Sequence, residues 1–235
     1  MIKQAIIRLK WQESAEFANR PPAPHLLRGA IAGAFPNNPL FHQHDENGKL
    51  LYRYPLIQYR WDTPKKEDKG KKLGDGLIVG FGEAVDSLTQ LFTSDLNIKL
   101  GDTEMQTPEI SCELRKCDLR IDTKLNENFF RSPWIPLKQE KYEEFIKLSR
   151  NEQKTELNRI MVSNILMVAR GLDIKFEETV YAIFQEKHRQ ICQYKDMKFQ
   201  GFTGRLITNV NLPEDIAIGK KVAHGFGWIK TINNK

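Results

Sequence analysis

Near its C-terminal end the chain reads Ile218-Gly219-Lys220-Lys221-Val222-Ala223-His224-Gly225-Phe226-Gly227-Trp228, so three glycines flank two lysines and a histidine. Glycine lets backbone N–H groups approach a phosphate closely, and lysine adds positive charge beside them. The stretch reads as a surface for a polyanion, joined to the last strand of a folded domain, and points to nucleic acid. It lacks the Walker pattern of glycine, four residues, Gly-Lys and Ser or Thr. A second group lies far upstream, where His42 and His44 stand two positions apart after Pro36-Asn37-Asn38-Pro39. Imidazole titrates near neutral pH and can give or take a proton. A histidine pair also suits zinc, but zinc wants three or four ligands, and Cys112 and Cys117 lie in a charged strand at an uninformative spacing. Neither a metal nor a cofactor is expected.

These residues need elements to position them. Ala5, Ile7, Leu9 and Trp11 share one face of a half-buried strand, with Arg8 and Lys10 opposite. Pro24 suits a first helical turn, and Leu27, Ala30, Ile31 and Ala34 recur at helical spacing, which predicts a helix over 25–35 carrying Arg28. The Pro-Asn-Asn-Pro stretch ends it and opens the loop of the histidines. Residues 50–61 return to strand chemistry, with Pro55 marking an edge or bulge. A strand over 77–81, a helix over 83–92 and strands around 96–121 complete a β-α-β-β-α-β order, the signature of a ferredoxin-like unit. The second half repeats the theme. It has a strand over 129–137, a helix from Tyr142 to Arg170 stopped at Gly171, a strand through Phe176, Val180, Ala182 and Phe184, another through Phe202 to Val210, the glycine-rich loop and a final strand. The fold class is therefore α+β, with two tandem ferredoxin-like (RRM-like) units expected over 1–125 and 126–235.

Composition sets bounds on partners. The 235 residues carry 36 basic and 30 acidic side chains, a formal net charge of +6 and a pI near 9.1, which suits an anionic partner. With 40% hydrophobic and 10% aromatic residues the chain reads as globular rather than disordered. No apolar run approaches the ~18 residues of a membrane span. Three cysteines without a signal peptide suggest a cytoplasmic protein with reduced thiols. The lysine run at 65, 66, 69, 71 and 72 reads as a solvated loop, and His188 as a residue on a solvated face.

Several motifs occur in a telling order: Leu27-Arg28-Gly29-Ala30-Ile31, the His42-Gln43-His44 pair, Tyr52-Arg53-Tyr54-Pro55-Leu56-Ile57-Gln58-Tyr59, Phe130-Arg131-Ser132-Pro133-Trp134-Ile135-Pro136-Leu137, Asn164-Ile165-Leu166 and the terminal glycine loop. Over nearly the whole chain this string resembles the RAMP superfamily of CRISPR-associated proteins, and within it the type b subgroup of repeat-RNA-processing endoribonucleases. The resemblance implies metal-independent cleavage of precursor CRISPR RNA within its repeats, by attack of a 2′-OH on the adjacent phosphate to leave 2′,3′-cyclic phosphate and 5′-OH ends. It also implies CRISPR repeat RNA as partner, and makes a homodimer and a place beside a CRISPR effector complex natural expectations. His42 and His44 are its first catalytic candidates. Tyr52 stands where the subgroup places a tyrosine, with Tyr54 as the competing choice. The subgroup's lysine before the histidines is missing, since no lysine occurs between Lys10 and Lys49. Arg28 is the nearest cationic substitute, with Lys49 next, and an arginine can stabilise phosphate charge but cannot act as a base at neutral pH. Arg131, Gly219, Lys220, Lys221, His224, Gly225 and Gly227 are the expected RNA contacts, while Trp134 and Trp228 would either stack on bases or pack inside. His25 reads as a capping or surface residue. The alternative is a RAMP subunit that holds CRISPR RNA without cutting it, since the fold alone does not imply catalysis.

Overall fold

A computed structural model describes residues 1–11, 22–42, 53–62, 74–92, 98–105 and 109–232. They form two compact units: residues 2–116 with 223–225, and residues 117–222 with 226 onward and Met1.

The N-terminal unit runs β1 (Ile2–Lys10), α1 (Pro24–Ala34), α2 (Pro39–His42), β2 (Ile57–Trp61), β3 (Gly76–Phe81), α3 (Ala84–Phe92), β4 (Ile98–Leu100), β5 (Thr103–Met105) and β6 (Glu109–Cys117). Its main sheet has the order β2-β3-β1-β6, with β4 and β5 as a separate hairpin. Counting the four sheet strands along the chain, the order is second, third, first, fourth, which is the ferredoxin-like arrangement expected from the element pattern. β1 differs from the expected half-buried strand: Gln4, Ala5, Ile6 and Ile7 are all buried, so both of its faces are covered there. α1 begins with a proline whose missing N–H costs nothing at that position, and it anchors itself through buried Leu27 and Ile31, one turn apart. The amide of Phe35 closes it onto the carbonyls of Ile31 and Ala32, at 3.2 and 3.3 Å.

The C-terminal unit runs β7 (Arg120–Phe130), α4 (Gln139–Phe145), α5 (Arg150–Gly171), β8 (Ala182–Tyr194), β9 (Met197–Asn211) and β10 (Ile229–Thr231), and between the last two strands comes a 3-10 turn (Val222–His224) whose last two residues are compact with the N-terminal unit. Its sheet order β10-β7-β9-β8 is the same topology. The expected division at 125/126 falls inside β7, beside a shift in its register with β9, whereas the compact units divide at 116/117. The single helix expected over 142–170 is two. Ser149 caps α5 by accepting from the Glu152 amide while Glu152 accepts from the Ser149 amide at 2.8 Å, and this capping box restarts the chain direction after α4. Residues 131–137, expected as strand, lie beyond β7. Trp134 instead pairs with Phe202 through two backbone hydrogen bonds of 2.8 Å. Phe176 and Val180 likewise precede β8 rather than belonging to it.

The core of this unit gathers Phe130, Trp134, Phe184 and Phe202, with Trp134 and Phe184 edge to face at 4.9 Å. α5 covers it with Leu157, Ile160, Met161, Ile165 and Val168, which share one face at helical spacing. The buried Trp134 Nε1–H donates to Asn164 Oδ1 at 3.0 Å, so the core keeps no orphaned indole. Among the described residues no helix is long and apolar enough to cross a membrane.

Candidate active site

α2 is where the first histidine is held. Asn38 Oδ1 accepts from the Leu40 amide at 3.1 Å and its Nδ2 donates to Ser87 Oγ at 3.0 Å, which fixes the turn entering the helix. Buried Phe41 then packs on Phe35, ring centroids 5.4 Å apart. His42 therefore ends a short anchored helix rather than lying in an open loop. Its Nε2 is 3.2 Å from the Phe35 carbonyl oxygen. A carbonyl only accepts, so Nε2 carries the hydrogen, and in the neutral ring Nδ1 holds the lone pair that can take a proton.

Arg28, half-buried on α1, reaches the same place. Its Nη2 donates to the His42 carbonyl oxygen at 3.2 Å, and its Nη1 is 3.5 Å from His224 Nε2. Its Nε is buried and has no hydrogen-bond partner among the described residues. His224 arrives on the 3-10 turn, in the three residues 223–225 that are compact with the N-terminal unit. Gly225 makes that approach possible: its φ is +86°, and a Cβ there would lie 2.6 Å from Pro24 Cγ, at the start of α1.

Tyr59 on β2, which the sequence marks only as part of the strand chemistry of 50–61 and of the Tyr52–Tyr59 motif, feels the charge of Arg28. Its hydroxyl is buried without a hydrogen-bond partner among the described residues. Burial pushes that phenol well above its ordinary pKa, and the positive charge of Arg28 pulls the other way. Neither that strand chemistry nor that motif carries a sign of this neighbour. Tyr54, the competitor of Tyr52, is buried and accepts from Gln58 Nε2 at 2.5 Å, a structural placement. His44, Tyr52, Lys49 and the lysine run from Lys65 to Lys72 lie outside the described residues. His25 is half-buried on α1, and His188 is exposed on β8. No cluster of three or more His, Cys, Asp or Glu residues suited to a metal occurs among the described residues.

The remaining expected RNA contacts lie in the C-terminal unit. The glycine loop is tied down by its own fold: the Lys220 amide donates to Ile135 O at 3.0 Å and the Gly227 amide to Pro133 O at 2.8 Å. Those two N–H groups are not offered to a phosphate. Gly219, at φ +107°, clears Trp134, whose Cδ1 would be 2.5 Å from an added Cβ. What the loop does present is lysine. Lys221 sets its ammonium over Tyr194, 4.6 Å from the ring centroid, and near Phe199 at 5.7 Å. Lys220 is half-buried, and its pKa is lowered by that burial and then by the charge of Lys138, a residue nothing in the sequence singled out. Exposed Arg131 lies over the Trp228 ring at 4.7 Å. Trp134 and Trp228 are both buried, Trp228 donating its Nε1–H to Asp215 at 3.1 Å, so neither is available to stack on a base.

Comparison with known proteins covers almost the whole chain. The family model for the Cas6b N-terminal domain matches residues 2–118, and that for the Cas6b C-terminal domain matches residues 120–232. An uncharacterised protein of Methanocaldococcus jannaschii is 40% identical over 100 residues, which are 43% of this chain and 68% of the relative. A crystal structure of Cas6b is similar with a TM-score of 0.79 at 20% identity, over 99% of this chain and 100% of that one. A second, of the CRISPR RNA processing endoribonuclease Cas6b, gives 0.69 at 19% identity with the same coverage. Csf5, a type IV CRISPR-Cas Cas6 crRNA endonuclease, gives 0.58 at 13% identity over 98% of this chain and 100% of that one. At such identities the likeness to solved structures speaks for the fold alone.

Proposed function

The chain belongs to the Cas6b family, and from that premise we propose that it is an endoribonuclease cutting precursor CRISPR RNA within its repeats without a metal ion. The observation that carries the reading is the seating of Arg28, a permanent cation held between the main chain of His42 and the ring of His224.

Internal cleavage of RNA needs a base for the 2′-OH, a cation for the crowded phosphorane-like anion and an acid for the leaving oxygen. His42 is oriented for the first task, because its Nε2–H is committed to Phe35 O and its Nδ1 is left to accept. The 2′-oxygen gives its proton to Nδ1 and bonds to phosphorus. The bond from phosphorus to the 5′-oxygen breaks, and that oxygen takes a proton, leaving 2′,3′-cyclic phosphate and 5′-OH ends. His44 supplies the acid in this reading, and Tyr52 helps to orient the phosphate. Arg28 neutralises the charge that builds on the non-bridging oxygens. Arg131, Lys220 and Lys221 hold the RNA backbone through phosphates, which carry no sequence information themselves.

The test is cleavage of the cognate repeat RNA in EDTA, beside a repeat with 2′-deoxy at the scissile nucleotide. Cutting should persist in EDTA and vanish with the deoxy substrate, and His42→Ala should slow it by about 10²–10⁴-fold, the range of general acid–base catalysis. Tight binding of the unmodified repeat without any cutting would make the protein an RNA-holding subunit instead.

A further inference from the structure

We infer that His224 is the positioning residue of the catalytic cation: its Nε2 accepts from Arg28 Nη1 and sets the plane of the guanidinium, an inference that rests on the ribonuclease reading above. A guanidinium is a rigid planar fork with five N–H donors and no acceptor. With one anchor it can swing about its stem, whereas two anchors at different nitrogens fix its plane. Arg28 has two, the His42 carbonyl oxygen at 3.2 Å from Nη2 and His224 Nε2 at 3.5 Å from Nη1.

The chemistry of the second anchor is restrictive. Arginine stays protonated at any relevant pH, so the contact attracts only when Nε2 presents a lone pair, with His224 neutral and its hydrogen on Nδ1. The imidazole is delivered by backbone placement. Val222 and Ala223 before it are buried, and Gly225 after it lies against Pro24, at the head of the helix that carries Arg28. With the two anchors made, Nη1 and Nη2 each keep a second N–H. Arginine's paired donors match two phosphate oxygens, so a fixed plane directs both at the reacting phosphate.

This role differs from the contact with RNA that the glycine-loop pattern suggests for His224. A side chain that touches RNA sets affinity, whereas one that orients the cation sets the rate at saturating RNA. The experiment therefore measures three quantities for each variant: the single-turnover cleavage rate at saturating repeat RNA, the Kd for the 2′-deoxy repeat, and Tm. His224→Leu keeps bulk but offers no acceptor, while His224→Gln returns an acceptor oxygen near the place of Nε2. Leucine should slow cleavage by about 10- to 100-fold, the scale of a small misplacement in a reacting site, with Kd within about twofold. Glutamine should recover most of the rate, and adding His224→Leu to Arg28→Ala should slow it no further, because both act through one group.

Cleavage by His224→Leu at the wild-type rate overturns the inference. So does a rise in Kd that accounts for the lost rate, which would make His224 an RNA contact, or a fall in Tm with no rescue by glutamine, which would make it a packing residue. If the wild-type protein itself does not cut, the ribonuclease reading fails and this inference with it. Wild-type cutting beside an unaffected leucine variant sinks the inference alone.

Discussion

In the N-terminal unit the chain passes from the third sheet strand to the fourth through α3 and the β4–β5 hairpin. In the C-terminal unit the equivalent passage, from β9 to β10, has no α-helix; it is the glycine-rich loop with a single 3-10 turn. Both sheets nonetheless have the same strand order. α3 covers its sheet with Ala84, Val85, Leu88 and Leu91, all buried, so its residues are spent on a core. The loop also buries side chains, Leu212, Ile216, Ala217, Ile218, Val222, Ala223 and Trp228, but without a helix, and it holds its course with backbone hydrogen bonds to Ile135 and Pro133. A connection that buries its side chains without helical periodicity can carry lysines between them and bring His224 to Arg28. The difference teaches that strand order constrains the sheets, while the chemistry sits in the connections, where the fold is permissive.

Arg28→Ala is the sharpest test of that comparison, since it removes the group that the glycine-rich loop reaches through His224. We expect cleavage at saturating RNA to fall by about 10²–10³-fold, as for loss of one preorganised transition-state donor, with Kd for the 2′-deoxy repeat nearly unchanged. Arg28→Lys should restore little, because a point charge cannot span both anchors and a phosphate. Single-turnover kinetics decide it, and wild-type rates in Arg28→Ala would remove the cation from the mechanism.

Two glycines give a smaller and opposed pair of effects. Gly225→Ala puts a Cβ at φ +86° against Pro24, and should cost about 1–3 kcal/mol and slow cleavage by displacing His224. Gly29→Ala places a methyl on the exposed side of α1, where nothing lies within 4 Å. It should raise stability by about 0.5–1 kcal/mol, because glycine weakens a helix interior. Denaturant melts of both variants check the sign, and equal behaviour would mean that Gly225 is not tied to α1.

The same two glycines show how far the sequence could be read. α1 was legible because its signals are local: a proline at the first turn and apolar residues three and four apart. The α5 face was legible for the same reason, and so was the tandem strand-and-helix order. The break before α5 was also written locally, as Ser149 with Glu152 three residues on, but the long apolar periodicity around it hid the signal. His224 is different. It meets Arg28 across 196 positions, and no local pattern encodes a pairing at that distance. Gly225 was legible as a position needing close approach, but the proline ring beside it was not: a missing Cβ admits a proline ring as readily as a phosphate. Tyr59 alternates like any strand residue, so its buried hydroxyl beside Arg28 had no signature at all.

Lys220 offers the finest test of what the loop presents. Its pKa lies below the ordinary lysine value because burial, and then the charge of Lys138, disfavours the ammonium. The folded chain thus gives up this proton at lower pH than the unfolded chain does. Between the lowered folded pKa and the ordinary unfolded value the unfolded chain binds more protons, so at neutral pH the charged Lys220 costs some stability, and that cost is relieved as pH rises through the folded pKa. A phosphate beside it does the reverse, favouring the ammonium and drawing its pKa back up. RNA binding at alkaline pH should therefore take up a proton, and affinity should begin to fall at a lower pH than an ordinary lysine would dictate. The difference between wild type and Lys220→Gln, measured as Kd for the 2′-deoxy repeat against pH at fixed salt, isolates this limb. We expect about two- to fivefold, the scale of one solvent-screened ion contact. Lys138→Gln should move the limb to higher pH by removing a like charge. Identical pH curves for wild type and Lys220→Gln would place the RNA elsewhere than on this loop, and leave Arg28 with His224 as its only claim to function.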